Sequence, residues 1–173
     1  MLCPPSNKLL FHQVPSLSLA RSLNKVLLGS DSPLTAAGDL LDGIRFARTQ
    51  IGLHANSIYG MVTNQPADIL RLRRGEGRLR PGSAADMLVV RDHGLSPAET
   101  LARLTVDQVE LVITAGRVQL AGPGLFERLP AALTNGLEPF EVDGVQRWVR
   151  APIGQLIADA EEILGSDFCV GGK

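Results

Sequence analysis

Apolar and polar positions change period along the chain, and the changes mark its elements. From Pro15 to Leu23, the residues Leu17, Leu19, Ala20 and Leu23 supply the apolar side of a short helix ended near Asn24. Lys25-Val26-Leu27-Leu28-Gly29 is a brief apolar run of the kind that forms a strand buried on both faces. It stops at Ser30-Asp31-Ser32-Pro33, where small residues favour a turn and Pro33 removes a ladder donor. Between Asp39 and Ile51, Leu40, Leu41, Ile44, Ala47 and Ile51 recur at helical spacing, with Asp42, Arg45 and Arg48 on the wetter side. A second helix over Ala55 to Thr63 presents Ile58, Met61 and Val62. A third starts with Pro66 in its first turn and runs to Leu70. The pattern predicts a βα unit followed by extra helices.

After Leu72 the pattern turns strand-like. Arg73-Arg74-Gly75-Glu76-Gly77 is a charged, glycine-rich connection, and Ala85 to Arg91, with Met87-Leu88-Val89-Val90 at its centre, reads as a strand. A short helix over Pro97 to Leu104 leads to Val109-Glu110-Leu111-Val112-Ile113, a Thr-Ala-Gly turn and Arg117-Val118-Gln119-Leu120, which together predict a β-hairpin. A second hairpin is expected at Asp143-Gly144, a dipeptide suited to the positive φ angles of a type I′ turn, between Phe140 to Val142 and Val145 to Val149. Trp148 is expected to pack in the core of this part. A final helix begins at Pro152, with Ile153, Leu156, Ile157, Ala160, Ile163 and Leu164 as one apolar stripe and Asp159, Glu161 and Glu162 off it. The expected class is α/β, divided at residues 1–72, 73–150 and 151–173. The opening, with its Pro4-Pro5 turn, leaves no room for a strand ahead of it, so the start of the fold is expected to lie outside the chain.

Composition narrows the possible partners. With 45% hydrophobic and 20% charged residues, 173 residues suffice for one sizeable core or two small ones. Lys and Arg number 17 against 18 Asp and Glu, a net charge of -1, so no whole-chain field favours nucleic acid or an anionic membrane. The cluster Arg71, Arg73, Arg74, Arg78 and Arg80 is expected to solvate a connection. Two cysteines, Cys3 and Cys169, lack the spacing of a disulfide framework or a zinc site. No apolar run matches a signal peptide or membrane helix, which makes the cytoplasm the default location.

The residue that stands out chemically is Asp31. Strand C-termini in βα proteins open into the mouth where active sites are built, and Asp31 follows such a strand. Its flanks strengthen the case: Ser30 and Ser32 are small and polar, Gly29 permits close approach, and Pro33 fixes the exit from the strand. Taken locally, however, a Gly-Ser-Asp-Ser string is a turn former or helix cap, and the local reading favours that role.

The order of the motifs along the chain alters the weighting. Cys3-Pro4-Pro5-Ser6-Asn7 is followed by Leu28-Gly29-Ser30-Asp31-Ser32, then by Gly38-Asp39-Leu40. Next come Arg78-Leu79-Arg80-Pro81-Gly82-Ser83-Ala84-Ala85-Asp86-Met87-Leu88-Val89-Val90 and a segment ending in Ala115-Gly116-Arg117-Val118. Over roughly residues 1–120 this resembles the C-terminal part of the amidohydrolase superfamily, and more narrowly its cytosine deaminase, adenosylhomocysteine deaminase and chlorohydrolase branch. The resemblance implies a (β/α)8 barrel with a divalent metal, zinc or iron, held by an HxH pair, further histidines and an Asp at the end of the eighth strand.

By motif, Asp31 matches that Asp, a metal ligand that takes a proton from the attacking water and passes it to the leaving group. The string holding Asn7 would follow the seventh strand, so Asn7 and Ser32 are the candidates for the substrate mouth. Departures are Ser30, where the family more often has Thr, and Pro5 at the variable position. The resemblance makes residues 1–72 the last strand-helix units of a barrel. Residues 73–150 become a small β-rich domain, part of a composite β-sandwich, with the helix and tail after it.

A full barrel takes about 250 residues, and His12, His54 and His93 have neither HxH nor HExxH spacing. What the resemblance implies is a metal-dependent hydrolase, of deamination type, acting on a carbon-nitrogen bond of a small cyclic or amidine-containing molecule, and incomplete in this chain alone. Its missing strands would come from an N-terminal polypeptide, a second copy of the chain or the remainder of a longer gene. The alternative is a non-catalytic assembly module that binds a partner through open strand edges.

Overall fold

A computed structural model describes residues 1–16, 18–19, 25–32, 34–36, 38–142 and 144–165. The helix expected over Pro15 to Leu23 falls largely outside the described residues, as do Pro33 and Asp143 of two expected turns. The chain packs as two units that interleave along the sequence. One is Met1–Ser83 with Asp92–Val106, and the other is Ala84–Arg91 with Asp107–Lys173.

In the first unit, Leu2 pairs in parallel with Leu28. Leu2 N donates to Leu27 O at 2.7 Å, and Gly29 N donates to Leu2 O at 2.9 Å. Val26 and Leu28 are buried but Leu27 between them is half-buried, so the run is not a strand buried on both faces: it forms an isolated bridge, with no longer ladder among the described residues. The opening differs more: Pro4–Phe11 is a helix, α1, where a proline turn was expected. Pro4 and Pro5 occupy its first turn, in which a missing N–H costs no intrahelical bond.

Helix α2, Leu40–Phe46, continues into a π-helical turn, Ala47–Ile51, that ends at Gly52 with φ 79°. Periodicity placed these residues in one regular helix. Thr49 Oγ1 donates to Arg45 O at 2.9 Å, a back-bond that competes with the regular ladder where the winding changes. Helices α3, Ala55–Val62, α4, Asn64–Ile69, and α5, Pro97–Arg103, complete this unit. Ile44, Ala47, Ile51, Leu53, Ile58 and Met61 share the core with Val26 and Leu28, while α5 meets α3 through Ala98, Ala102 and Ala55. Arg48 joins the α2 end to α5 through Glu99 at 3.2 Å and donates to Leu53 O at 3.1 Å.

The second unit is a five-stranded antiparallel sheet in the order β1-β2-β3-β5-β4. The strands are β1 (Met87–Val90), β2 (Val109–Thr114), β3 (Arg117–Ala121), β4 (Glu138–Val142) and β5 (Val145–Val149). Both predicted hairpins form, and Gly144 takes φ 75° at the second. Short helices α6, Pro123–Phe126, and α7, Ala131–Thr134, lie where no periodicity marked them, being too short to show a face.

Leu111, Val118 and Ala121 form the buried centre of this unit, lined by Ile113, Leu125, Phe126, Leu129 and Leu137. Trp148, half-buried, stacks on Phe126 with ring centroids 4.2 Å apart and planes 8° apart. Its neighbour Arg147 is the buried one, donating to Asp107 O at 2.6 Å and Gln146 O at 2.9 Å. The last helix, α8, Ile153–Leu164, has no buried residue, and Leu156, Ile163 and Leu164 of its apolar stripe are exposed. No helix among the described residues is long and apolar enough to cross a membrane.

Candidate active site

Two elements meet around Asp31. The first is the Leu2–Leu28 bridge, which sets the chain leaving Leu28 beside the chain entering α1. Gly29 allows a close approach there: a Cβ on it would stand 2.7 Å from Met1 Sδ and 3.2 Å from Cys3 Sγ, so those side chains would have to shift. The second is the turn that begins at Ser32. Ser32 O accepts from Thr35 N at 2.9 Å and Ala36 N at 3.0 Å, and Ser32 Oγ accepts from Leu34 N at 3.2 Å.

Asp31 sits between these elements, exposed, with φ 60°. That left-handed conformation is one an aspartate enters more readily than most residues, because its short polar side chain bonds locally. The turn-forming reading of the local sequence and the exposure needed by a reacting carboxylate therefore coexist at one position. Cys3 lies within its electrostatic reach. Burial pushes the Cys3 thiol up, and the Asp31 carboxylate adds to the rise.

Of the substrate-mouth candidates, Asn7 is half-buried in α1, its backbone N–H donating to Cys3 O at 2.9 Å. The hydroxyl of Ser32 serves as an acceptor inside its own turn and keeps its proton for donation elsewhere. Sequence reasoning passed over Ser6 and Thr35, which link the two elements: Ser6 Oγ and Thr35 Oγ1 are 3.0 Å apart. Ser6 stood in the quoted Cys-Pro-Pro-Ser-Asn string, whereas nothing in the local pattern marked Thr35.

The histidines occupy helix ends and a loop. His12 follows α1 with φ 54°, His54 is the residue before α3, and His93 is exposed between β1 and α5. A catalytic zinc takes three protein ligands. Among the described residues no three His, Cys, Asp or Glu side chains gather where they could hold a metal ion. Asp31 and Cys3, one carboxylate and one thiol, fall short of the ligands such a centre needs.

Helices in the first unit and an antiparallel sheet in the second make this an α/β chain, with an exposed carboxylate directly after a bridged segment. The model of the Amidohydrolase family matches residues 2–119, and the chain belongs to that family. The matched span contains Asp31, the two elements around it, the first two strands of the sheet and the start of the third. The family is generally metal-dependent. A search of the curated proteins found no match to the chain.

Proposed function

We propose that the protein takes part in the deamination-type hydrolysis of a carbon-nitrogen bond in a small cyclic or amidine-containing compound, with Asp31 carrying the proton. The observation behind this reading is the exposed Asp31 carboxylate directly after the bridged segment, within the span matched by the Amidohydrolase family model. A carboxylate so placed accepts a proton from an attacking water and returns it to the departing nitrogen. Asn7 and Ser32 line the approach, and Ser32 has a hydroxyl proton to donate to a substrate heteroatom. The parallel Leu2–Leu28 pairing also supports the reading of residues 1–72 as barrel-end strand-helix units. In this reading the remaining groups of the site are supplied by a partner, either an N-terminal polypeptide or a second copy of the chain, or by the remainder of a longer gene.

The protein, tagged at its C-terminus and isolated from its own cells with its partner, is expected to release ammonia from cytosine or adenosine as first probes. Asp31→Asn, which keeps size and turn preference, should abolish that release while the partner stays bound. Undiminished release by the variant overturns the role of Asp31, and no release from either probe overturns the deamination reading. Turnover with stoichiometric metal by the purified chain alone overturns the need for a partner.

A further inference from the structure

We propose that Ser6 is a positioning residue for the Asp31 loop, a reading that rests on the proton-carrying role given to Asp31 above. Ser6 is only 2% exposed although it bears a hydroxyl, and a buried hydroxyl needs a partner. It finds one 29 residues away, in Thr35 Oγ1 at 3.0 Å. Thr35 Oγ1 in turn donates to Ser32 O at 3.1 Å. A threonine hydroxyl has one proton, so with that proton on Ser32 O, Ser6 is the donor to Thr35. The bonds then run in one direction, from Ser6 O–H to Thr35 Oγ1 and from Thr35 O–H to Ser32 O.

Ser32 O is the convergence point, since Thr35 N and Ala36 N donate to it as well. This carbonyl belongs to the residue directly after Asp31, whose φ of 60° is sparsely populated for a residue with a side chain. Such a conformation persists where its surroundings over-determine it. The loop's own backbone bonds are local, whereas among the described residues the Ser6 side chain ties the turn to a different helix, α1. Ser6 therefore sets where the carboxylate stands relative to α1 and Asn7, without itself touching a substrate.

Site-resolved amide hydrogen exchange on the 173-residue chain tests the link without any substrate. Ser6→Ala and Thr35→Val are expected to raise exchange at Thr35 and Ala36 on the order of tenfold, the effect of losing one hydrogen bond. Exchange in the β2–β3 hairpin should hold, and Thr35→Ser, which keeps the hydroxyl, should restore parent rates. Unchanged exchange at Thr35 and Ala36, or an equal rise throughout α1 and α2, overturns the proposal.

A second arm uses the isolated complex and its ammonia release. Ser6→Ala is expected to lower kcat with KM unchanged, and Thr35→Ser to retain the parent kcat. Faster exchange with an unaltered kcat shows a loop tie that does not serve the reaction and also overturns the proposal. Should Asp31→Asn leave ammonia release intact, the proton-carrying reading fails separately, and the exchange arm still decides whether Ser6 holds the loop.

Discussion

Arg78, from the arginine-rich connection, closes on Asp68 with both carboxylate oxygens, at 2.8 and 2.7 Å. The hydrogen bond from Arg78 holds the Asp68 carboxyl below its ordinary value and holds the guanidinium above its own. A carboxyl lowered in the folded state contributes stability above its unfolded value and loses it as pH falls through the folded one. The contribution of this pair is therefore intact at neutral pH and disappears on the acid side of the usual carboxylate range. Arg78→Met should return the Asp68 titration, followed by NMR of its carboxyl carbon, upward to the ordinary range. An Asp68 that already titrates normally in the parent protein contradicts this. The prediction of a merely solvated connection missed the pair, because Asp68 and Arg78 are ten residues apart and only the fold of α4 and the following turn brings them together.

At the scale of elements, local chemistry accounts for most boundaries. Asp39, quoted first as part of the Gly38-Asp39-Leu40 motif, caps α2: its carboxylate accepts from Leu41 N at 2.7 Å and Asp42 N at 3.1 Å. Asp42 Oδ2 answers by accepting from Asp39 N at 3.0 Å, a reciprocal box that satisfies otherwise orphaned donors. Asp39→Ala should cost about 1 kcal/mol in urea denaturation, and a loss near zero would show the box to be redundant with core packing.

Two other motif strings meet in the same way. Asp86 Oδ1 accepts from Ala115 N at 2.7 Å, and Ala85 O accepts from Gly116 N at 3.0 Å. The strings Ala84-Ala85-Asp86 and Ala115-Gly116-Arg117 thus form a clamp across the start of β1 and the β2–β3 turn.

For the whole molecule, membership of the Amidohydrolase family favours the hydrolase reading over a non-catalytic assembly module. The same membership brings an expectation of metal that this chain's described residues do not meet. Equilibrium dialysis of the purified chain against zinc should show no tight stoichiometric site, and Asp31→Asn should leave the weak binding isotherm nearly unchanged. A one-to-one site lost on that substitution would place a metal centre on this chain alone. The order of motifs carried the family assignment, because residues 2–119 hold those strings in succession. It could not supply the site, because a centre depends on side chains converging in space.

Hydrophobic periodicity together with turn and proline signals located the described helices of more than one turn after Asp39, the five strands and both hairpins, since burial of one face imposes a period that survives in the sequence. Proline at Pro4 and Pro5 was ambiguous between turn and helix start, and only the bonds of α1 resolved it, because the first helical turn spends no N–H on the ladder. The same holds for Asp31. Sequence placed it at the end of a buried run, while the exposure of its carboxylate, the left-handed backbone and the tie through Thr35 to Ser6 are tertiary facts. A hydrogen bond between residues 29 positions apart leaves no local period to read.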